Sequence, residues 1–270
     1  MVTPMSGTEH LTVERAGHTL VVTMNRPEAK NALSQPMLAG MYDAWVELNT
    51  DDDLRCAILT GGGGNFCTGM DLKAAAAGGG AQTDHAARWK DDPDLHWKAL
   101  LRHYRVDKPL IAAVEGYAVA GGTEILQATH IRVAGRSATF GVFEAKRGLF
   151  PVGGSTVRLQ RQIGYAAAME MLLTARAYTA DEALRIGLIG HVVDDGAALD
   201  KALELAAMIT SNGPLAVEAI LRSVRQTAHL SEEEGLVREL EIGWPIFATE
   251  DAREGPRAFA EKRPPVWQRR

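Results

Sequence analysis

Two glutamates, Glu124 and Glu144, are the side chains best suited to proton transfer. Glu124 follows the pair Gly121-Gly122 and precedes an Ile-Leu pair, and Glu144 follows a Phe-Gly-Val-Phe run. Apolar surroundings disfavour an ionised carboxylate, so they raise its pKa toward the range that general acid–base catalysis uses. The alternative is structural: each glutamate caps a helix or pairs with Lys146 or Arg147.

Two glycine-rich turns, residues 65–71 and 118–124, each follow a predicted buried strand. Where a strand turns into a helix, backbone N–H groups are left unpaired and the helix dipole favours negative charge. Two such turns could converge on one oxyanion. The alternative is that the glycines serve backbone geometry alone.

Other site classes lack their motifs. Dinucleotide-binding, P-loop, nucleophile-elbow and zinc-protease patterns are absent, and the eight histidines show no ligand spacing, which predicts no metal site. Cys56 and Cys67 lie in apolar stretches, so they are predicted packing residues of a protein in a reducing compartment. Six basic residues near the end of the chain form either a solvated helix face or a phosphate contact: Arg253, Arg257, Lys262, Arg263, Arg269 and Arg270.

Composition bounds the class of protein. With 270 residues, 46% of them hydrophobic, the chain can bury a large core, and its net charge of -5 argues against a nucleic-acid partner. Residues 1–10 do not have the pattern of a signal peptide, and the longest uncharged run, 56–70, is shorter than the roughly 18 residues of a membrane span. We therefore expect a soluble cytoplasmic protein without a membrane partner.

The elements that must position these residues follow from local patterns. Alternating and β-branched residues, apolar helical spacing and glycine stops predict strands that alternate with helices, which indicates an α/β fold with crossover connections. The predicted elements are a hairpin (11–15 and 18–24, turning at 16–17), a helix (34–50), a strand (54–60), then a strand (109–114), a turn (116–122), a helix (123–129) and a strand (131–133).

The second half of the chain has a different pattern. Residues 74–82 are predicted to form a surface loop, and nearly everything from residue 155 onward is predicted helical, with 191–193 the only late strand. Capping boxes at 179–182 and 231–234 each predict a helix start. We divide the chain into residues 1–195, an α/β core, and residues 196–270, a helical region.

Taken together, nine blocks of the sequence resemble the crotonase, or enoyl-CoA hydratase/isomerase, superfamily. Their joint occurrence at the family's spacing is specific, although no single block is. The blocks are residues 25–33, 59–61, 66–72, 111–117, 120–124, 140–144, 148–151, 183–188 and 258–263.

The resemblance implies a crotonase-like spiral of ββα units with a C-terminal helical trimerisation region. It places the oxyanion hole on the backbone N–H groups of Met70 and Gly121, and the catalytic acid–base roles on Glu124 and Glu144. It implies a homotrimer or a dimer of trimers, and no cofactor or metal, because coenzyme A is part of the substrate. The substrate-binding positions are Ala29, Gly69, Asp71, Leu72 and Lys73, with Phe259 and Lys262 from a neighbouring subunit.

The function implied is hydration of 2-enoyl-CoA thioesters in fatty-acid or related lipid β-oxidation. Δ3,Δ2-enoyl-CoA isomerisation and a binding protein on a crotonase frame are the alternatives. The sequence departs from the family pattern at four positions: Ala120 for glycine, Phe143 for proline, Met70 for alanine and His130 for aspartate. Of these, Phe143 bears on the shape of the acyl pocket, and a bulky acyl group is compatible with the resemblance.

Overall fold

The computed structural model describes residues 2–76 and 86–270. Its strands form two sheets, one of seven strands in the order β1-β2-β3-β4-β5-β7-β10 and one of three in the order β6-β8-β9. The strands are β1 Val2–Thr8, β2 Leu11–Ala16, β3 Thr19–Met24, β4 Cys56–Gly61, β5 Leu110–Val114, β6 Tyr117–Val119, β7 Ile131–Gly135, β8 Thr139–Gly141, β9 Tyr178–Thr179 and β10 His191–Val193.

Helices connect the parallel strands and make up most of the second half. They are α1 Gln35–Thr50, α2 Leu72–Ala76, α3 Ala86–Asp91, α4 Leu95–Ala99, α5 Gly121–Leu126, α6 Ser155–Gln162, α7 Tyr165–Thr174, α8 Ala180–Arg185, α9 Ala198–Thr210, α10 Pro214–Thr227, α11 Glu232–Gly243 and α12 Glu250–Ala260. Within residues 2–76 and 86–270, three short 3-10 turns span Pro27–Ala29, Glu144–Arg147 and Trp244–Ala248. Among the helices of the described ranges, none is both long and apolar enough to cross a bilayer.

The large sheet is antiparallel at its first edge and parallel elsewhere. β1 pairs with β2 and β2 with β3 in antiparallel register, and every pairing from β3 to β10 is parallel. Parallel neighbours require crossover connections, which the intervening helices supply. Parallel strands therefore end at the same edge of the sheet, and the turn that follows β4 meets the turn that follows β5.

The two faces of the sheet bury different side chains. Alternate residues of a strand point to opposite faces, so Leu59 packs in the main core with Met41 and Trp45 of α1. Ile58 packs on the other face, in a second cluster with three alanines of α9: Ala198, Ala202 and Ala206. The helix α9 thus lies against the sheet although it belongs to the predicted region 196–270, and the division of the chain at residue 195 stays a prediction.

Most of the predicted elements are confirmed. The hairpin, α1, β4, β5, β7 and β10 occur as expected, and both capping boxes are formed, at Thr179–Glu182 and Ser231–Glu234. Cys56 and Cys67 are buried free thiols, as predicted.

Several short elements were predicted wrongly. Residues 117–119 form β6 rather than a turn, and the helix after it spans Gly121–Leu126 instead of 123–129. The strands β1, β8 and β9 were not predicted. β8 and β9 have three and two residues, too few to show a period, and depend on partners distant in sequence. Of the predicted loop 74–82, the described part ends helix α2 at Ala76, and the remainder lies outside the described residues.

Candidate active site

Glu124 is buried at a helix junction. It lies in the first turn of α5, is 6% exposed, and accepts a hydrogen bond on Oε1 from the Ser155 backbone N–H (3.3 Å) at the start of α6. A Cβ on Gly153 would lie 2.5 Å from Oε2, so any larger residue there would displace the Glu124 carboxylate. Burial raises the pKa of Glu124, while hydrogen bonds from Ser155 and Gly153 and the charge of Arg158 oppose that rise.

Glu144 is close to Glu124 but has a different environment. It begins the 3-10 turn Glu144–Arg147, is half-buried, and its buried Oε2 has no hydrogen-bond partner within the described chain. Burial first, and then the nearby charge of Glu124, raise the pKa of Glu144 to about 7. The pair therefore consists of one carboxyl group that backbone hydrogen bonds and Arg158 stabilise in its charged form and one that holds a proton up to about neutral pH.

The two structural alternatives for these glutamates have different outcomes. Glu124 does accept from the first backbone N–H of α6, as a helix-capping side chain would. Among the described residues, neither Glu124 nor Glu144 forms an ion pair with Lys146 or Arg147. Lys146 instead places its ammonium 5.1 Å from the centre of the Phe143 ring, and a Cβ on Gly141 would lie 2.3 Å from the edge of the same ring. Phe143 is thus folded against its own strand–turn segment.

The two glycine-rich turns lie in direct contact. The backbone N–H of Cys67 donates to Tyr117 O (2.8 Å), and its carbonyl oxygen accepts from Val119 N (3.0 Å). These bonds pair the two segments like neighbouring strands. At the tip, a Cβ on Gly69 would lie 2.7 Å from the Gly121 nitrogen. The sequence predicted that these turns come together, and the geometry places the Gly69-Met70 and Ala120-Gly121 peptides side by side.

Met70 and Gly121 are the predicted oxyanion donors. Leu33 N donates to Gly69 O (2.8 Å), and this pairing holds the chain at Met70 in an extended conformation. Across the described residues, neither the Met70 N–H nor the Gly121 N–H has a backbone acceptor. The Met70 side chain is 61% exposed, so its bulk does not lie in the core beside these N–H groups.

Ala120 adopts a backbone conformation that favours glycine. Its φ and ψ are 51° and −125°, and it precedes α5 as the N-cap residue while its N–H donates to Gly141 O (2.8 Å). A side chain in this region is strained. The strained residue directly precedes Gly121, so its backbone angles set the direction of the Gly121 N–H.

The predicted substrate-binding residues around the first turn lie together. Ala29 O accepts a hydrogen bond from Thr68 Oγ1 (3.5 Å), and Asp71 accepts one from Arg26 Nη1 (2.8 Å). Leu72 and Lys73 begin α2 with exposed side chains. The segments 26–33 and 67–73 therefore form one continuous rim beside Gly69.

Asn31 is a structural residue that the sequence analysis did not single out. It is fully buried, accepts from Arg26 N (2.7 Å) and donates to Gly62 O (2.9 Å) and Asn65 O (2.6 Å). Its amide fastens the 26–33 segment to the first glycine-rich turn. An asparagine between a Pro turn and an apolar helix was the available signal.

Phe259 and Lys262 are not brought to this site within one chain. Phe259 is 86% exposed at the end of α12, and Lys262 is exposed just after it. No hydrogen bond, ion pair or ring contact links either side chain to residues 29 or 69–73 in the described part of the chain. Of the basic cluster near the chain end, four arginines are paired with acids: Arg257, Arg263, Arg269 and Arg270.

Metal chemistry has no candidate ligands in the described ranges, where no group of three or more His, Cys, Asp or Glu side chains converges. The two cysteines do not change this conclusion, since burial raises the pKa of both thiols to about 12. A thiol that stays protonated at neutral pH is a weak ligand and a weak nucleophile.

Comparison with known proteins decides the family. Residues 14–270 match the family model described as enoyl-CoA hydratase/isomerase. The chain belongs to this family. It is 57% identical over 272 residues to enoyl-CoA hydratase EchA19 of Mycobacterium tuberculosis, covering 100% of both chains. It is 39% identical to a carnitinyl-CoA dehydratase of Salmonella enteritidis, covering 98% of this chain and 100% of the relative.

Solved structures agree with this family and its crotonase-type fold. An enoyl-CoA hydratase from Mycobacterium tuberculosis H37Rv superposes with a TM-score of 0.87 at 42% identity, over 97% of this chain and 99% of that one. An enoyl-CoA hydratase from Bacillus anthracis gives 0.88 at 31% identity, over 97% and 100%. The predicted family, fold and enzyme class are confirmed.

Proposed function

We propose that this protein hydrates 2-enoyl-CoA thioesters to 3-hydroxyacyl-CoA in fatty-acid or related lipid β-oxidation. The observation that carries the proposal is the pair Glu124 and Glu144, two neighbouring carboxyl groups in unequal surroundings. Glu124 acts as the base that activates water for attack at C3. Glu144 acts as the acid that protonates C2. The proton that Glu124 took from water then passes to Glu144, which regenerates both groups.

The Met70 and Gly121 N–H groups serve as the oxyanion hole in this proposal. Addition of water to a conjugated thioester passes through an enolate-like state with negative charge on the carbonyl oxygen. Donors held in place before the reaction lower that barrier, by about 3 kcal/mol for one donor in other enzymes. The contact between Gly69 and Gly121 supports the assignment, because it brings the two peptides to one point.

Coenzyme A is proposed to lie along the rim formed by the segments 26–33 and 67–73. Ala29, Gly69, Asp71, Leu72 and Lys73 would contact the pantetheine and adenine, and Phe259 and Lys262 would approach the nucleotide from a neighbouring subunit. The exposure of both late side chains supports a role outside their own chain. We propose a homotrimer, or a dimer of trimers, acting in the cytoplasm with no cofactor beyond the coenzyme A of the substrate.

The direct assay follows loss of the conjugated thioester absorbance of crotonyl-CoA and longer enoyl-CoAs. We expect Glu124→Gln and Glu144→Gln each to lower kcat by 10²-fold or more, because each removes one proton-transfer step. Glu204→Gln, on the exposed side of α9, is the matched control and retains the wild-type rate. Wild-type rates in both active-site variants would refute the mechanism.

Heavy-oxygen water separates hydration from Δ3,Δ2-isomerisation, because only hydration incorporates the label into product. A binding protein without turnover would instead show a salt-sensitive gel shift with RNA and no loss of absorbance. Ranking enoyl-CoAs from four carbons to a steroid side chain by kcat/KM would define the acyl group. Because the Phe143 ring packs against its own segment, we expect it to leave the acyl pocket open, and kcat/KM should then rise with the size of the acyl group.

A further inference from the structure

The Thr123 side chain lies inside the turn that carries the Gly121 N–H. Thr123 is fully buried in the first turn of α5, shortly after Gly121. Its Oγ1 donates to Ala118 O (2.5 Å), five residues back along the chain. The hydroxyl therefore closes the segment 118–123 on itself, and the strained residue Ala120 lies within the closed segment.

The same hydroxyl contacts the neighbouring strand β8. Its oxygen lies 3.1 Å from Gly141 O and 3.2 Å from Gly141 N. A hydroxyl has one hydrogen to donate, so the closer Ala118 O takes it and the Gly141 N–H donates to Oγ1. Gly141 O in turn accepts from Ala120 N (2.8 Å). Gly141 therefore contacts the turn on both sides of the Ala120–Gly121 peptide.

The Ala120–Gly121 peptide contains both a hydrogen-bonded carbonyl and the proposed donor. Glu124 N donates to Ala120 O (3.0 Å). In a trans peptide the C=O and N–H bonds point in opposite directions, so this hydrogen bond also sets the direction of the Gly121 N–H. The strained conformation of Ala120 persists only where its surroundings enforce it. The Thr123 contacts are part of those surroundings, because Thr123 immediately precedes the Glu124 nitrogen.

We propose that Thr123 is a positioning residue for the oxyanion hole, and that its hydroxyl fixes the direction of the Gly121 N–H. The inference rests on the role given to Gly121 in the proposed function. Because the Thr123 side chain is fully buried, it acts through the backbone and not by contact with substrate. Through Gly141, which shortly precedes Glu144 in the sequence, the hydroxyl also links the oxyanion turn to the segment of the proposed acid.

The test measures how strongly the protein polarises a bound thioester carbonyl. Butyryl-CoA labelled with carbon-13 at the carbonyl is a suitable ligand, because a saturated thioester cannot be hydrated. Hydrogen bonds to a carbonyl oxygen lower its stretching frequency, and infrared difference spectra of the bound ligand report that shift. We expect the shift to be roughly halved in Thr123→Ala and in Thr123→Val, because one of the two donors is then misaligned.

Turnover should change in the same variants. We expect kcat for enoyl-CoA hydration to fall by about tenfold, less than the 10²–10³-fold loss that follows removal of a whole oxyanion donor in another enzyme. KM should change little, since the donor interacts most strongly with the charge that develops in the transition state. Thr123→Ser keeps the hydroxyl and should restore both the infrared shift and kcat.

Thr129→Val is the matched control. Thr129 is also buried, and its hydroxyl donates to Leu126 O (2.7 Å) beyond the other end of α5. This variant should lose stability in urea, as Thr123→Val does, because each removes a buried hydrogen bond. It should nevertheless leave the infrared shift and kcat at their wild-type values.

An infrared shift unchanged in both Thr123→Ala and Thr123→Val overturns the inference, whatever happens to kcat. A loss in Thr123→Ser as large as in Thr123→Ala also overturns it, and so does the absence of any shift in the wild type. Should Thr123→Val fold poorly, Thr123→Ala carries the test. If the wild-type protein hydrates no thioester, the proposed function fails, while the carbonyl shift of bound butyryl-CoA still reports whether the hydroxyl directs the Gly121 N–H.

Discussion

Glu124 and Glu144 are identical side chains made different by their surroundings. Burial raises the pKa of both, and backbone hydrogen bonds oppose the rise at each. The charge that differs is the neighbouring one: Glu124 lies near the positive Arg158, whereas Glu144 meets the negative charge of Glu124. Two residues of one type thus differ through their surroundings, as the proposed roles of base and acid require.

The pH dependence of activity should report Glu144. A donor must be protonated, so kcat/KM should fall as the pH rises through about 7, the pKa of Glu144, by about tenfold for each further pH unit. In Glu124→Gln the negative charge beside Glu144 is gone, so the pKa of Glu144 should fall. The residual activity should therefore begin to decline at a lower pH than in the wild type. Rate measurements between pH 5 and 9 with one enoyl-CoA test both statements, and an alkaline limb unchanged in Glu124→Gln would contradict the coupling.

The same raised pKa affects stability with a defined sign. Native Glu144 binds its proton more tightly than the unfolded chain, whose usual value is 4.5. The free energy of unfolding therefore decreases as the pH rises from 4.5 toward 7. The raised pKa that suits Glu144 to its proposed role therefore lowers the stability of the fold at neutral pH.

Replacing Ala120 by glycine should stabilise the folded protein. Its φ of 51° and ψ of −125° lie where glycine is preferred, and such strain costs on the order of 1–3 kcal/mol. We expect Ala120→Gly to raise the free energy of unfolding in urea by about 1 kcal/mol after the entropy of the added glycine is subtracted. Ala166→Gly, in the exposed first turn of α7, should lower it by about 0.5–1 kcal/mol; a loss in both variants would contradict the strain argument.

At the scale of elements, the last helix is tied down by acids that accept from the final segment. Asp251 on α12 accepts from the backbone N–H groups of Gln268 (2.7 Å) and Arg269 (3.1 Å). Glu254, one turn later, accepts from Val266 N (2.9 Å) and from the guanidinium groups of Arg257 and Arg263. Most of the basic residues near the chain end therefore serve structure.

Substituting Glu254 by glutamine should weaken this attachment in a pH-dependent way. Hydrogen bonds from Arg263, Val266 and Arg257 hold the pKa of Glu254 well below its usual 4.5. A depressed pKa stabilises the fold above the unfolded value and ceases to do so as the pH falls. The melting temperature of Glu254→Gln should accordingly lie below wild type at pH 7, and the difference should shrink progressively as the pH falls from 4.5 toward the depressed pKa of Glu254.

Glu250→Gln is the matched control on the same helix, since Glu250 is exposed and pairs with Arg270 at the surface (2.9 Å). Exposed ion pairs contribute little, so this variant should melt with the wild type at every pH. A Glu254→Gln deficit that persisted unchanged into acid would contradict the assignment.

At the scale of the whole molecule, α10, α11 and the following 3-10 turn carry an apolar surface. Contiguous exposed apolar area of this kind marks an interaction face. Its side chains are 56–73% exposed: Ile220, Val224, Leu236, Val237, Leu240, Trp244 and Phe247. The face belongs to the region proposed to mediate trimer formation.

A charge placed on this face should break the assembly. We expect light scattering to give a trimer or hexamer mass for the wild type and smaller species for Leu240→Glu and Phe247→Glu, because a buried unpaired carboxylate is costly at an interface. Activity should fall with assembly if Phe259 and Lys262 act across subunits. Leu184→Glu, on an exposed position of α8, should leave the mass unchanged; intact assemblies in all three variants would argue for another interface.

Local patterns in the sequence determined much of this protein. The capping boxes at Thr179 and Ser231 and the hairpin β2–β3 depend on residues within a few positions of one another, so their chemistry is visible in the chain itself. Glycines at the ends of two predicted buried strands also indicated where the site would form, because parallel strands end at a common edge.

Only the tertiary structure decided what those local elements would meet. β6, β8 and β9 are two or three residues long and exist because a distant partner supplies their hydrogen bonds. Glu124 comes from α5, while its contacts with Glu144, Gly153 and Ser155 cross 20 to 31 positions of sequence. A pattern can therefore nominate a carboxylate, but its pKa and its partner depend on which side chains the packed sheets and helices bring within a few ångströms.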